Sequence, residues 1–142
     1  MVPIVKQVVK VRMLPTEVEA AALEATLRAC NAAASWLSAA MRADKVRCKH
    51  DVPKRFYVEL KQRFGLSAQP AIRMIGKVAE AYASLRANIA AGNHGPPGSE
   101  GRNKVSAKPI EFRGDAAQPF DARYLSWQIP DTVGGREATV SF

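Results

Sequence analysis

The chain has 142 residues with 47% hydrophobic and 24% charged content, close to an ordinary soluble domain, so composition argues against a disordered chain. Twenty-one Lys and Arg against 13 Asp and Glu give a formal charge of +8, which favours a polyanionic partner, because phosphates attract such a surface at long range. The N-terminus carries Lys6, Lys10 and Arg12 among single apolar residues, and no apolar run is long enough for a membrane span, so a cytoplasmic, nucleoid-associated protein without a membrane partner is expected.

In chain order, residues 4–14 alternate imperfectly, with Val5, Val9, Val11 and Met13 set against Lys6, Lys10 and Arg12, and their β-branched content suits a strand. The pattern changes at Leu14-Pro15-Thr16, where Thr16 and Glu19 have the spacing of a capping box and open a long helix. Its apolar positions run Leu23, Leu27, Cys30, Ala34, Leu37 and Met41, steps of four and three that keep one face apolar. A connection follows, and Asp51 with Pro53 opens a second helix with the stripe Phe56, Leu60, Phe64, closed by Gly65 as a left-handed cap. Ser67 caps a third helix whose stripe is Ile72, Ile75, Val78, Tyr82, Leu85 and Ile89. From Gly92 to Gly101 breakers dominate, and residues 92–108 are expected to form a flexible loop. Beyond it, 110–113, 124–129 and 137–142 have strand character, the last preceded by a Gly134-Gly135 hairpin turn.

The expected fold class is therefore α+β. A first strand (1–14) and returning strands (109–142) form a barrel-like wedge lobe, interrupted by a helical insert of about three helices (15–91) and the loop. The last strand stops where its pairing partners would ordinarily continue, so the barrel is expected to be incomplete.

Catalytic or metal chemistry has little to stand on. The acidic residues are scattered, none in an EF-hand or His-Glu-x-x-His spacing. Cys30 and Cys48 form no Cys-x-x-Cys pair, and Cys48 with His50 supplies two ligands where zinc wants about four. The loop around Gly95 has neither the P-loop ending nor the dinucleotide glycine spacing, so no cofactor is expected. Basic residues carry the remaining signal. Between Arg42 and Arg63 there are eight of them against three acidic ones. Gln69, Arg73 and Lys77 stand one turn apart along the third helix, a face that either lies along a phosphate backbone or is simply solvated. Trp36 and Tyr82 suit core packing better than base stacking.

The run Val9-Lys10-Val11-Arg12-Met13-Leu14-Pro15-Thr16, followed by Leu23, Leu27, Cys30-Asn31 and Trp36-Leu37, resembles the start of the TnpB (OrfB) family of insertion-sequence proteins. Leu66-Ser67-Ala68-Gln69, Arg73, Lys77-Val78-Ala79 and Ala81-Tyr82 resemble that family's later helix, and Pro119-Phe120-Asp121-Ala122-Arg123 with Leu125-Ser126-Trp127 its return to the β lobe. The resemblance covers most of the chain through short, degenerate motifs. It implies the wedge and recognition lobes of an RNA-guided DNA endonuclease related to type V CRISPR effectors, binding guide RNA and the guide:target DNA heteroduplex through backbone and shape. It also implies that cutting belongs to a downstream RuvC-like domain with three acidic residues and a zinc ribbon, neither of which this chain has. No catalytic activity is expected of the chain alone.

Lys6, Lys10 and Arg12 at the wedge, and Lys54, Arg55, Gln69, Arg73 and Lys77 on the recognition lobe, are then the expected nucleic-acid contacts, with a separate RuvC nuclease polypeptide as a further partner. Two other readings stand beside this one: a non-functional insertion-sequence remnant, and a helix-turn-helix DNA-binding regulator. The regulator ranks last because no short turn is expected between two compact helices.

Overall fold

The computed structural model describes residues 2–46, 50–121, 125–128 and 139–141. Among these, four helices account for nearly all the regular structure: α1 (Glu17–Ala43), α2 (Asp51–Phe64), α3 (Ala68–Ala90) and the short α4 (Glu100–Ala107).

The start of α1 follows from two side chains. Thr16 accepts from the backbone of Glu19, and Glu19 Oε2 accepts from the Thr16 amide at 2.8 Å, so both free amides are satisfied reciprocally. The backbone hydrogen bond from Thr16, with its hydroxyl second, holds the Glu19 carboxyl below its ordinary value. Full burial begins only in the fourth turn, where Cys30, Ala33, Ala34, Leu37 and Met41 enter the core. The small alanines let the neighbouring helices approach closely.

Helix α2 buries Val52, Phe56 and Leu60 and ends at Gly65, whose φ of 62° is open to glycine at little cost. Three residues later α3 begins and buries Ala71, Met74, Ile75 and Val78. Trp36 on α1 meets Phe56 edge-on at 6.2 Å and lies 5.8 Å from Phe64, while Asp44 just past α1 pairs with Arg55, so α2 runs back along α1. Tyr82 and Ser38 share a hydrogen bond at 2.9 Å, and Lys77 reaches Asn31, so α1 and α3 run parallel. The result is an up-down-up bundle of three helices around one core. Each fully buried large side chain there contributes about 1.5–3 kcal/mol.

A barrel-like wedge is not what these residues form, and the α+β expectation is corrected to a mostly helical fold. The strand expected at 4–14 is an extended segment that pairs with no other described residue, with Ile4 90% and Val8 86% exposed. Strand propensity cannot build a ladder without a partner, and no described residue pairs with this segment. Of the returning strands, 110–113 is irregular, and the others reduce to a ribbon of β1 (Ser126–Gln128) and β2 (Thr139–Ser141), antiparallel with Trp127 opposite Val140. The expected Gly134-Gly135 turn and the ends of both strands lie outside the described residues. The expected loop 92–108 is likewise corrected. It is a series of hydrogen-bonded turns, Gly95 N to Gly92 O and Ser99 N to Pro96 O, that leads into α4, where Ser99 accepts from the Arg102 amide.

Candidate functional site

After α4 the chain returns over the bundle as a strap with one turn at Gly114-Asp115, closed by Ala116 N to Arg113 O at 3.0 Å. From 111 to 120 its residues alternate between exposed and half-buried, with Phe112, Gly114, Ala116, Gln118 and Phe120 turned inward. The pattern is that of a strand, but the strap is held by side chains of the helices rather than by a ladder. On α1, Ser35 Oγ accepts from the Phe112 amide at 2.9 Å, and the fully buried Asn31 donates through Nδ2 to the carbonyls of Gly114 at 3.1 Å and Ala116 at 2.9 Å. On α3, Lys77 Nζ donates to Asn31 Oδ1 at 2.6 Å and to the Ala117 carbonyl at 2.9 Å. Arg73 clamps Asp121 through both Nε, at 3.1 Å, and Nη2.

Arg73 and Lys77 do share a face, one turn apart, but the strap is tied against it, leaving 41% of the Arg73 side chain exposed. The Lys77 ammonium also lies 5.2 Å from the Phe112 ring centre, and burial pushes it down from its ordinary value. Burial raises the neighbouring Cys30 thiol, and the charge of Lys77 pulls it the other way. Gln69 leaves its Oε1 buried without a protein partner. A cleft of about 220 Å³ lies beside this cluster, between Pro53 on α2, Ile72, Gly76 and Glu80 on α3, and Pro119 on the strap.

The remaining expected contacts are on the surface. Lys54 is exposed, 4.0 Å from Asp51, and Arg55 pairs with Asp44 at 3.0 Å while its guanidinium lies 5.1 Å from the Phe56 ring centre. Farther along α2, Lys61 lies over Tyr57 at 5.3 Å and Arg63 over Trp36 at 5.3 Å. Lys6, Lys10 and Arg12 are exposed on the N-terminal segment. The structure thus gathers Arg73 and Lys77 into one half-buried cluster against the strap and leaves Lys54 and Arg55 outside it.

Sequence reasoning gave no role to Ser35 or Asp121 as strap anchors, and none to Asn31 beyond the motif it belongs to. For Asn31 a signal existed, since a poor helix former in an Ala-rich apolar stripe needs a structural reason to be there. Among the described residues, no three His, Cys, Asp or Glu side chains come together as a metal-ion group, and no helix is long and apolar enough to cross a membrane. Cys48 lies outside the described residues.

Comparison with known proteins finds no matching family model, no matching curated protein and no matching solved structure.

Proposed function

We propose that this chain is an RNA-binding helical module of the TnpB-like kind, holding guide RNA and the guide:target heteroduplex by their phosphates and cutting neither. The observation that carries the reading is the cationic outer side of α2 and its approach. There Arg42, Lys45, Lys54, Arg55 and Arg63 are exposed and Lys61 half-buried, against Asp44, Asp51 and Glu59. Two of the ion pairs there, Lys54 with Asp51 and Arg63 with Glu59, are at 4.0 Å and exposed, so they hold their cations weakly and leave them to a phosphate. Lys6, Lys10 and Arg12 are exposed on the N-terminal segment and add a second group of cations. The short motifs shared with that family give the reading its kind, and a separate RuvC nuclease polypeptide would supply cleavage.

Titration of a labelled single-stranded RNA across salt concentration tests the proposal. Log affinity should fall linearly with log salt, by about 0.7 for each phosphate neutralised. Salt-independent binding, or none at low salt, overturns it.

One observation favours the regulator as a second reading. Only Gly65, Leu66 and Ser67 separate α2 from α3, a connection of helix-turn-helix length. Against it, the first turns of α3 that would enter a major groove carry Arg73, which is tied to the strap. Tighter binding to one duplex DNA sequence than to RNA would favour this alternative.

A further inference from the structure

We propose that the strap is a displaceable cover over a second phosphate-binding pair, Arg73 and Lys77, and that Asp121 occupies Arg73 as an internal substitute for an RNA phosphate. The proposal rests on the RNA-binding reading and adds a regulated part to it.

The chemistry of the contact comes first. Arg73 presents two donors to one carboxylate oxygen of Asp121, the geometry with which a guanidinium also grips a phosphate oxygen. Exchange of one anion for the other leaves both donors satisfied. Lys77 behaves alike, because the Ala117 carbonyl it holds is a neutral acceptor, and a phosphate would be a stronger partner for a half-buried ammonium.

The strap is also weakly built as a cover. On its α3 half, 117–121, Ala117 and Pro119 are turned outward and Phe120 is half-buried, whereas Phe112 on the other half packs against the core. Gln118 turns inward with both amide atoms buried and no protein partner, a cost of the closed position that lifting the strap removes. On the α1 half, by contrast, Asn31 and Ser35 bind strap main chain from buried or half-buried positions. The release therefore falls on the α3 half, 117–121, with the Asn31 and Ser35 contacts as the hinge end. The cleft beside Pro119 already reaches Arg73 and Lys77 and gives an RNA strand its entry, while Glu80 on the same wall opposes an anion and sets a threshold for opening.

The experiment uses the whole chain and a fluorescein-labelled oligouridylate. Asp121→Asn removes the competitor and should tighten binding about fivefold or more. Glu111→Gln, which removes an equal charge from the strap's exposed side, should shift it far less. Arg73→Gln combined with Asp121→Asn should cancel the gain. In the unaltered chain, amide hydrogen exchange across 117–121 should quicken when the oligonucleotide is added, a measurement that needs no variant to fold. Equal effects of the Asp121 and Glu111 substitutions, or RNA binding with the strap amides unchanged, overturn the cover and leave RNA binding standing. Absence of binding by every form removes both.

Discussion

Lys77 and Asn31 form a buried-to-half-buried hydrogen bond of 2.6 Å between α3 and α1, and through it both helices hold the same length of strap. Asn31 uses its carbonyl oxygen for the ammonium and its amide for two strap carbonyls, so both its donors and one of its two acceptor positions are spent inside the fold.

Replacement of Asn31 should therefore be costly. Asn31→Leu keeps the volume but leaves the Lys77 ammonium and the Gly114 and Ala116 carbonyls short of partners, at about 2–4 kcal/mol. Urea unfolding measures it, and a difference within about 0.5 kcal/mol would show that the strap ties contribute little.

The pH dependence of Lys77 follows from its burial. Its ammonium is held below the ordinary value of 10.5, so across the window from the lowered value to 10.5 the unfolded chain binds more protons than the folded one. Stability from this group rises with pH through that window. It is complete above 10.5 and gone below the lowered value. Lys77→Met should remove this slope from thermal melts taken at increasing alkalinity, and an unchanged slope would assign it elsewhere.

At the other end of the bundle the sign is set by a carboxylate. Glu19 is held below its ordinary 4.5 by Thr16, so the cap is intact above that value and lost as pH falls through the lowered one. Thr16→Ala should return the Glu19 titration toward 4.5 in a carboxyl-carbon NMR experiment and reduce protection in the first turn of α1. The return should be partial, since the Thr16 amide still donates to the carboxylate, and a Glu19 titration that does not move would exclude the Thr16 hydroxyl as a contributor.

Two core substitutions separate packing from backbone geometry. Phe56→Ala removes a ring lying against Trp36 and should cost about 3–5 kcal/mol through the cavity left behind. Gly65→Ala adds a methyl where nothing stands within 4 Å, so its destabilisation of about 1 kcal/mol should come from the positive φ alone. Gly65→Asn, which tolerates that conformation better, should recover part of it.

On the α2 surface, Lys54→Ala with Arg55→Ala should weaken RNA binding and lower the magnitude of the salt slope by about 0.7 for each phosphate that is no longer neutralised. Circular dichroism should stay unchanged, since both side chains lie outside the core. An unaltered slope would move the phosphate-binding surface away from these two residues.

How much of this was legible in the chain varies by element. Steps of three and four residues locate α1, α2 and α3, because an amphipathic helix needs only its own residues to satisfy its backbone. Thr16 with Glu19 and Gly65 mark helix ends for the same local reason. Strands are different. The β-branched residues at 4–14 give propensity but no partner, and among the described residues the sheet shrinks to the β1–β2 ribbon. The face of Arg73 and Lys77 was visible as a face, while its occupant was not, since Asp121 approaches from 48 residues away.

The amino-acid sequence by itself thus determined the charge and, through neighbours within one or two turns, the helical periods and the caps at Thr16 and Gly65, whereas Ser67 starts α3 without a side-chain cap hydrogen bond. The tertiary structure alone decided where the strap lies, which cations face solvent and which are tied to the strap. Those outcomes depend on contacts between residues distant along the chain, and local patterning carries no information about which of them form.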